Sequence, residues 1–261
     1  GGRVALALFD TLTSNTALLM PIGELVAAAR SVGVQWIGVD AAHSWGALPE
    51  LRFDEIDADF IVSNAHKWYC APKGVAALVL GQRVDLDRLV PPVLSHGITG
   101  SLHDRFSWDG SRDYCGALAL RSQESWWQAL GGLELAATAT QALLSRAGAR
   151  LVERWQSHWL APDPAWRGPM TCIALPARID RVTGATPGPD RQPGSGAHGD
   201  SAAAKAVQDS LHWDHRIEVP VKSLDGRLYA RLSVGVYNVD EDYEALGRAI
   251  DEMSAGPALS P

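Results

Sequence analysis

The chain has 261 residues, 46% of them apolar, and a formal net charge of −7. That is enough for one large domain or two modest ones around a buried core, while the negative balance argues against a nucleic-acid surface, which needs clustered Lys and Arg. Three widely spaced cysteines read as reduced structural thiols, no apolar run approaches the roughly 20 residues that span a bilayer, and the N-terminal stretch lacks a signal-peptide layout, so a cytoplasmic protein without membrane partners is expected.

Strand and helix patterns alternate up to Leu80. Residues 4–9 form a short apolar run with the look of a buried strand. Residues 25–31 are Ala-rich with helical spacing, opened by Pro21 and stopped by Gly33. Apolar strands follow at 36–39, 60–62 and 74–80, which is the βαβ rhythm of a mainly parallel sheet. Residues 110–114 form a turn before one long helix over 117–144. A smaller α+β domain should then hold a helix at 147–158, strands at 171–175 and 229–236, and a final helix at 240–253 whose acidic first turn suits the helix dipole. The expected division is therefore 1–116, a linking helix over 117–146, and 147–255.

Two of these strands end in reactive side chains. Trp36-Ile37-Gly38-Val39 runs into Asp40 and then His43, and Phe60-Ile61-Val62 runs into Ser63-Asn64-Ala65-His66-Lys67-Trp68. Ligands of open α/β sheets bind at such strand ends. An amine partly desolvated there has a lowered pKa and attacks aldehydes, while a nearby carboxylate can keep a pyridine nitrogen protonated. Lys67 and Asp40 are thus the pair that pyridoxal phosphate asks of a protein. Asp40 has an N-cap for the next segment as its lesser reading, and His43 reads either as a donor to the cofactor's phenolate oxygen or as the filling of a polar niche.

Taken in order, Thr13-Ser14, Val39-Asp40-Ala41-Ala42-His43, Ser63-Asn64-Ala65-His66-Lys67-Trp68, Trp108-Asp109-Gly110-Ser111-Arg112-Asp113-Tyr114, Arg231-Leu232-Ser233 and Tyr237-Asn238 resemble the class V aminotransferase family of pyridoxal-phosphate enzymes. The branch that they are similar to holds isopenicillin N epimerase-like and cysteine desulfhydrase-like proteins. The resemblance implies an α/β fold of type I with a small α+β C-terminal domain, and pyridoxal 5′-phosphate as cofactor. It implies that Lys67 forms the Schiff base, Asp40 pairs with the ring nitrogen and His43 faces the phenolate oxygen. Asn64 and His66 match phosphate contacts. Ser111, in place of the family's Thr, would reach the phosphate site of the neighbouring subunit in a homodimer. Arg231 matches the clamp for a small amino-acid substrate's carboxylate, with a plain surface arginine as its other reading.

The implied chemistry is proton removal from the α carbon by Lys67, followed by C–S lysis, epimerisation or transamination. Lysis or epimerisation is favoured over desulfuration, because Cys70, Cys115 and Cys172 sit in no mobile-loop pattern suited to attack on sulfur. About half of the family's large domain would precede residue 1, so the chain is read as a fragment or a truncated product, the rival reading being a non-catalytic remnant that serves as a folding or interaction module. Residues 183–199, rich in Pro, Gly and Ser, read as a flexible insertion. The G-x-G-x-x-G at 194–199 follows three prolines rather than a strand, which argues against a dinucleotide site. His212-Trp213-Asp214-His215 reads as a polar turn with a half-buried Trp rather than a metal site.

Overall fold

The computed structural model describes residues 3–107, 110–179 and 201–256. The expected insertion at 183–199, with its G-x-G-x-x-G, and Trp108-Asp109 lie outside them. The chain forms two compact units, Gly1–Thr11 with Pro21–Leu133, and Leu12–Met20 with Glu134–Pro261.

The first unit is built on four strands, β1 (Leu6–Asp10), β2 (Trp36–Asp40), β3 (Phe60–Asn64) and β4 (Ala76–Leu80), in that spatial order. β1, β2 and β3 are parallel, with Asp10 opposite Asp40 and Asp40 opposite Val62. β4 returns antiparallel to β3. Helix α1 (Ile22–Ser31) starts after Pro21 and buries Ile22, Val26 and Ala29, spaced to share one face. They meet Ile37, Val39 and Ile61 on one side of the sheet. Each of these Ile and Val side chains stabilises the fold by about 1.5–3 kcal/mol over its exposed state, so this layer fixes the position of both site-bearing strands. Among the described residues the opposite sheet face is left largely uncovered. Leu6, Leu8, Val62 and Leu78 are 53%, 60%, 40% and 58% exposed there, whereas parallel sheets are ordinarily covered on both faces.

The single helix expected over 117–144 is instead three: α3 (Cys115–Leu118), α4 (Leu120–Ala129) and the start of α5 (Leu133–Trp155), preceded by a short α2 (Leu102–Ser107). The break is chemical. Gly131 and Gly132 take φ of 94° and 93°, and their N–H groups cap α4 on the carbonyls of Gln128 and Trp127, a C-terminal stop that side-chain-bearing residues adopt poorly. The helix expected at 147–158 is the second half of α5.

The second unit holds β5 (Met170–Ala174), β6 (Val221–Leu224) and β7 (Arg227–Ser233) in the antiparallel order β5-β7-β6. Helix α6 (Ser201–Trp213), α5 and α7 (Asp240–Ala255) supply Val207, Leu211, Leu144, Leu151, Leu246 and Ile250 to one core against this sheet. His212 and Trp213 end α6 rather than forming a turn, and Trp213 is 72% exposed. A half-buried Trp was expected there; the helix instead turns it to solvent. The described residues contain no group of three or more His, Cys, Asp or Glu placed to hold a metal ion, and no helix among them is long and apolar enough to cross a membrane.

At the start of α7, Asp240 accepts hydrogen bonds from Arg146 and Arg150 on α5. These bonds hold its carboxyl down at about 2, against the small upward pull of burial. Its folded-state pKa lies below its ordinary value of 3.8, so the stabilisation it gives is complete above that value and is lost as pH falls toward about 2. Asp240→Asn should therefore flatten the fall of the thermal midpoint between about pH 4 and pH 2, as followed by circular dichroism. An acid limb unchanged from the parent would contradict the assignment.

Candidate active site

The C-terminal ends of β2 and β3 lie side by side, and the two loops that leave them are stitched together. Thr11 N–H donates to Asp40 O at 2.9 Å, Ala41 N–H to Val62 O at 2.8 Å, and Ser63 Oγ to Ala41 O at 2.6 Å. Buried Thr11 and Ser44 share a hydroxyl hydrogen bond of 2.5 Å. Gly46 completes the join: it has φ of 88°, and a Cβ there would lie 2.6 Å from the backbone N of Tyr69. Only glycine lets the His43 loop approach the Lys67 loop this closely.

The Lys67 loop is itself a tight reversal. Ala65 N–H donates to Val75 O and Ala71 N–H to Ala65 O, with Cys70 in the left-handed region at φ of 62°, a conformation that costs energy and is held by its surroundings. Buried Tyr69 stacks on Trp45 with centroids 5.0 Å apart. Its hydroxyl donates to Glu124 at 2.8 Å, and Trp127 Nε1 donates to its carbonyl at 3.0 Å. Burial first, and the Glu124 partner second, push the Tyr69 hydroxyl up to about 12, so it stays a neutral donor anchoring α4 to the loop.

Within this frame Lys67 Nζ lies 3.3 Å from His43 Nε2. The other ring nitrogen, Nδ1, accepts from Trp68 Nε1 at 3.2 Å. His43 is buried, whereas Lys67 and Asp40 are exposed. The expected desolvated lysine is therefore an open one, its amine met by an imidazole rather than by an apolar wall. Asp40 Oδ1 accepts the N–H of Ala42 two residues on, at 2.9 Å, a local turn bond within the site-bearing loop. Asp10, in register on β1, was missed by sequence reasoning. Burial first, and the Asp40 charge second, raise its carboxyl above the ordinary range, so two acids stand together and favour a cationic neighbour. The available signal was a repeat: Phe9-Asp10 ends an apolar strand just as Val39-Asp40 does.

Asn64 is the last residue of β3. His66 Nδ1 lies 3.1 Å from Val75 O, so it carries the proton and leaves Nε2 as the ring's other polar atom. Ser111 is exposed in the turn before α3. Arg231, on β7 in the second unit, is half-buried; its guanidinium donates to Ser14 O, and its Nε is buried without a hydrogen-bond partner among the described residues. Burial lowers its pKa, opposed by nearby Cys172. An amine, an imidazole N–H and a carboxylate thus share one strand-end edge, a donor set that fits a pyridoxal ring.

Residues 3–113 match the family model Aminotransferase class-V. The chain is 31% identical to the L-cysteine desulfhydrase of Arabidopsis thaliana, with 97% of this chain and 55% of that protein aligned. It is 28% identical to the isopenicillin N epimerase of Amycolatopsis lactamdurans, over 97% of this chain and 61% of that one. Among solved structures, the apo cysteine desulfurase of Thermococcus onnurineus NA1 superposes with a TM-score of 0.70 at 20% identity, covering 95% of this chain and 60% of that one. The chain spans about half the length of the curated relatives it matches. Over residues 3–113 the chain belongs to the class V aminotransferase family, and its fold is of type I.

Proposed function

We propose that this chain is the cofactor-anchoring part of a cytoplasmic, homodimeric pyridoxal-phosphate enzyme that cleaves a C–S bond in a small amino acid, as a cysteine desulfhydrase does. The meeting of Lys67 and His43 at 3.3 Å, on the strand-end edge that carries Asp40, is the observation behind it. When bound, the cofactor supplies an electron sink for charge developing at the substrate's α carbon. Lys67 Nζ would hold the cofactor by its aldehyde carbon and would serve as the base for the substrate's α proton. The Asp40 carboxylate keeps the ring nitrogen protonated, and His43 Nε2 donates toward the ring's oxygen. Asn64 and His66 Nε2 face the phosphate, Ser111 serves the neighbouring subunit's site, and Arg231 grips the α-carboxylate with a two-pronged guanidinium.

The thiols speak against sulfur transfer through a protein cysteine, which needs an accessible thiolate. Burial pushes Cys172 up to about 12 and raises Cys70, while Asp113 raises Cys115. The largely uncovered apolar sheet face supports a further point: the chain works as part of a longer polypeptide whose remaining length covers that face. Epimerisation is the second reading, favoured by the likeness to the epimerase. Incubating the full chain with pyridoxal phosphate and L-cysteine should yield pyruvate, ammonia and sulfide in equal amounts. D-Cysteine in their place would support epimerisation. If a longer form that covers the sheet face gives neither, the enzymatic reading fails and the remnant reading stands.

A further inference from the structure

We propose that Trp68 is a positioning residue: its indole N–H fixes His43 as the Nε2–H tautomer and so presents a hydrogen-bond donor, not an acceptor, to Lys67. An indole nitrogen only donates, so the 3.2 Å contact from Trp68 Nε1 requires a lone pair on His43 Nδ1. That excludes the imidazolium form, in which both ring nitrogens carry protons, and places the single proton of the neutral ring on Nε2. Lys67 Nζ lies 3.3 Å from this Nε2. An ammonium has three donors and no acceptor, so facing an Nε2–H it makes no hydrogen bond there, whereas the neutral amine accepts one. Trp68 thus biases the neighbour of its own chain position toward the free base, the form that attacks an aldehyde.

The geometry makes the bias durable. The two rings meet edge-on, centroids 6.3 Å apart and planes at 68°, so the N–H approaches in the imidazole's neighbourhood rather than stacking over its face. His43 is buried, and the Gly46 approach to the Trp68–Tyr69 backbone holds the two loops in contact. The catalytic meaning of the bias rests on the pyridoxal-phosphate reading, but the tautomer does not, and it is measurable without cofactor.

In the cofactor-free chain labelled with ¹⁵N-histidine, proton–nitrogen correlation through the ring should show His43 Nδ1 as the unprotonated nitrogen. Trp68→Phe should move it toward the Nδ1–H form. At fixed pH the rate of Lys67 acylation, read by peptide mass, should fall about fivefold, the worth of one ordinary hydrogen bond. Should Trp68→Phe fail to fold, replacement of Trp68 by benzothienylalanine keeps the ring's shape and removes only the N–H, and it should give the same shift. A protonated Nδ1 in the parent, or a His43 pattern and Lys67 rate indifferent to loss of the N–H, overturns the proposal. Pyridoxal-phosphate binding measured on the same samples tests the broader reading separately, since either result can stand without the other.

Discussion

Replacing Lys67 by alanine should remove the attachment of pyridoxal phosphate and lower any turnover by at least about a thousandfold, the expected product of losing both the proposed nucleophile and the proposed proton acceptor. The chain has four lysines, Lys67, Lys73, Lys205 and Lys222, and Lys67, in the loop that follows β3, has its Nζ 3.3 Å from His43 Nε2. Borohydride treatment of the parent with cofactor should therefore add the reduced coenzyme to the peptide holding Lys67 alone. Lys67→Arg separates charge from chemistry. It keeps a cation at the position, but a guanidinium does not condense with the aldehyde or give up a proton near neutral pH, so it should be as inactive as the alanine variant. A small added amine should restore part of the α-proton removal to Lys67→Ala and none to a variant lacking Asp40. Label on Lys73, or turnover surviving in Lys67→Ala, would refute the assignment.

How much of this was legible beforehand depended on whether the information was local. The strands of the first unit are short apolar runs ending in polar residues, and periodicity alone places them within a residue or two. Lys67, Asp40 and His43 were readable for the same reason, since Asp40 stands directly after such a run and His43 and Lys67 follow one in the next loop. What escaped was set by contacts across the chain. Residues 117–144 carry mostly helix-forming composition; the left-handed Gly131-Gly132 pair divides α4 from α5, and α3 gives way to α4 at Ala119, whose backbone is itself helical. The antiparallel return of β4 follows from the tight loop around Cys70, whose positive φ no propensity announces. The indole–imidazole bond joins residues 25 positions apart, and the second acid, Asp10, gains its meaning only from its register with Asp40. Helix α6 and strand β6 were missed because His212-Trp213-Asp214-His215 reads as a turn and Val221–Leu224 is a four-residue strand with two polar members.

At the opposite end of the same strands a buried ion pair holds the register on which the site depends, and its two halves should fail unequally. Asp59 is 2% exposed and its Oδ2 accepts from Arg30 Nη2 and from the backbone N–H of Ile37, both at 2.7 Å. The Asp59 backbone bonds to Ile37 O and Gly81 N–H, so one residue ties the start of β2 to β3 and to the end of β4. Arg30→Ala leaves this carboxylate buried with only a neutral donor, and removal of one partner from a buried pair costs roughly 3–5 kcal/mol. Asp59→Ala leaves Arg30 better provided, since Arg30 also donates to Asp57 O at 3.1 Å and lies 3.7 Å from the Asp57 carboxylate. Its cost is chiefly the orphaned Ile37 N–H and the lost pair, roughly 1–3 kcal/mol. The double variant should then be less destabilised than the sum of the two, because the second deletion removes the charge that the first stranded. Urea unfolding of the three proteins measures this. Equal single costs that simply add would mean that the pair contributes nothing as a pair, and that the strand ends bearing Asp40 and Lys67 are held by the apolar layer of α1 alone.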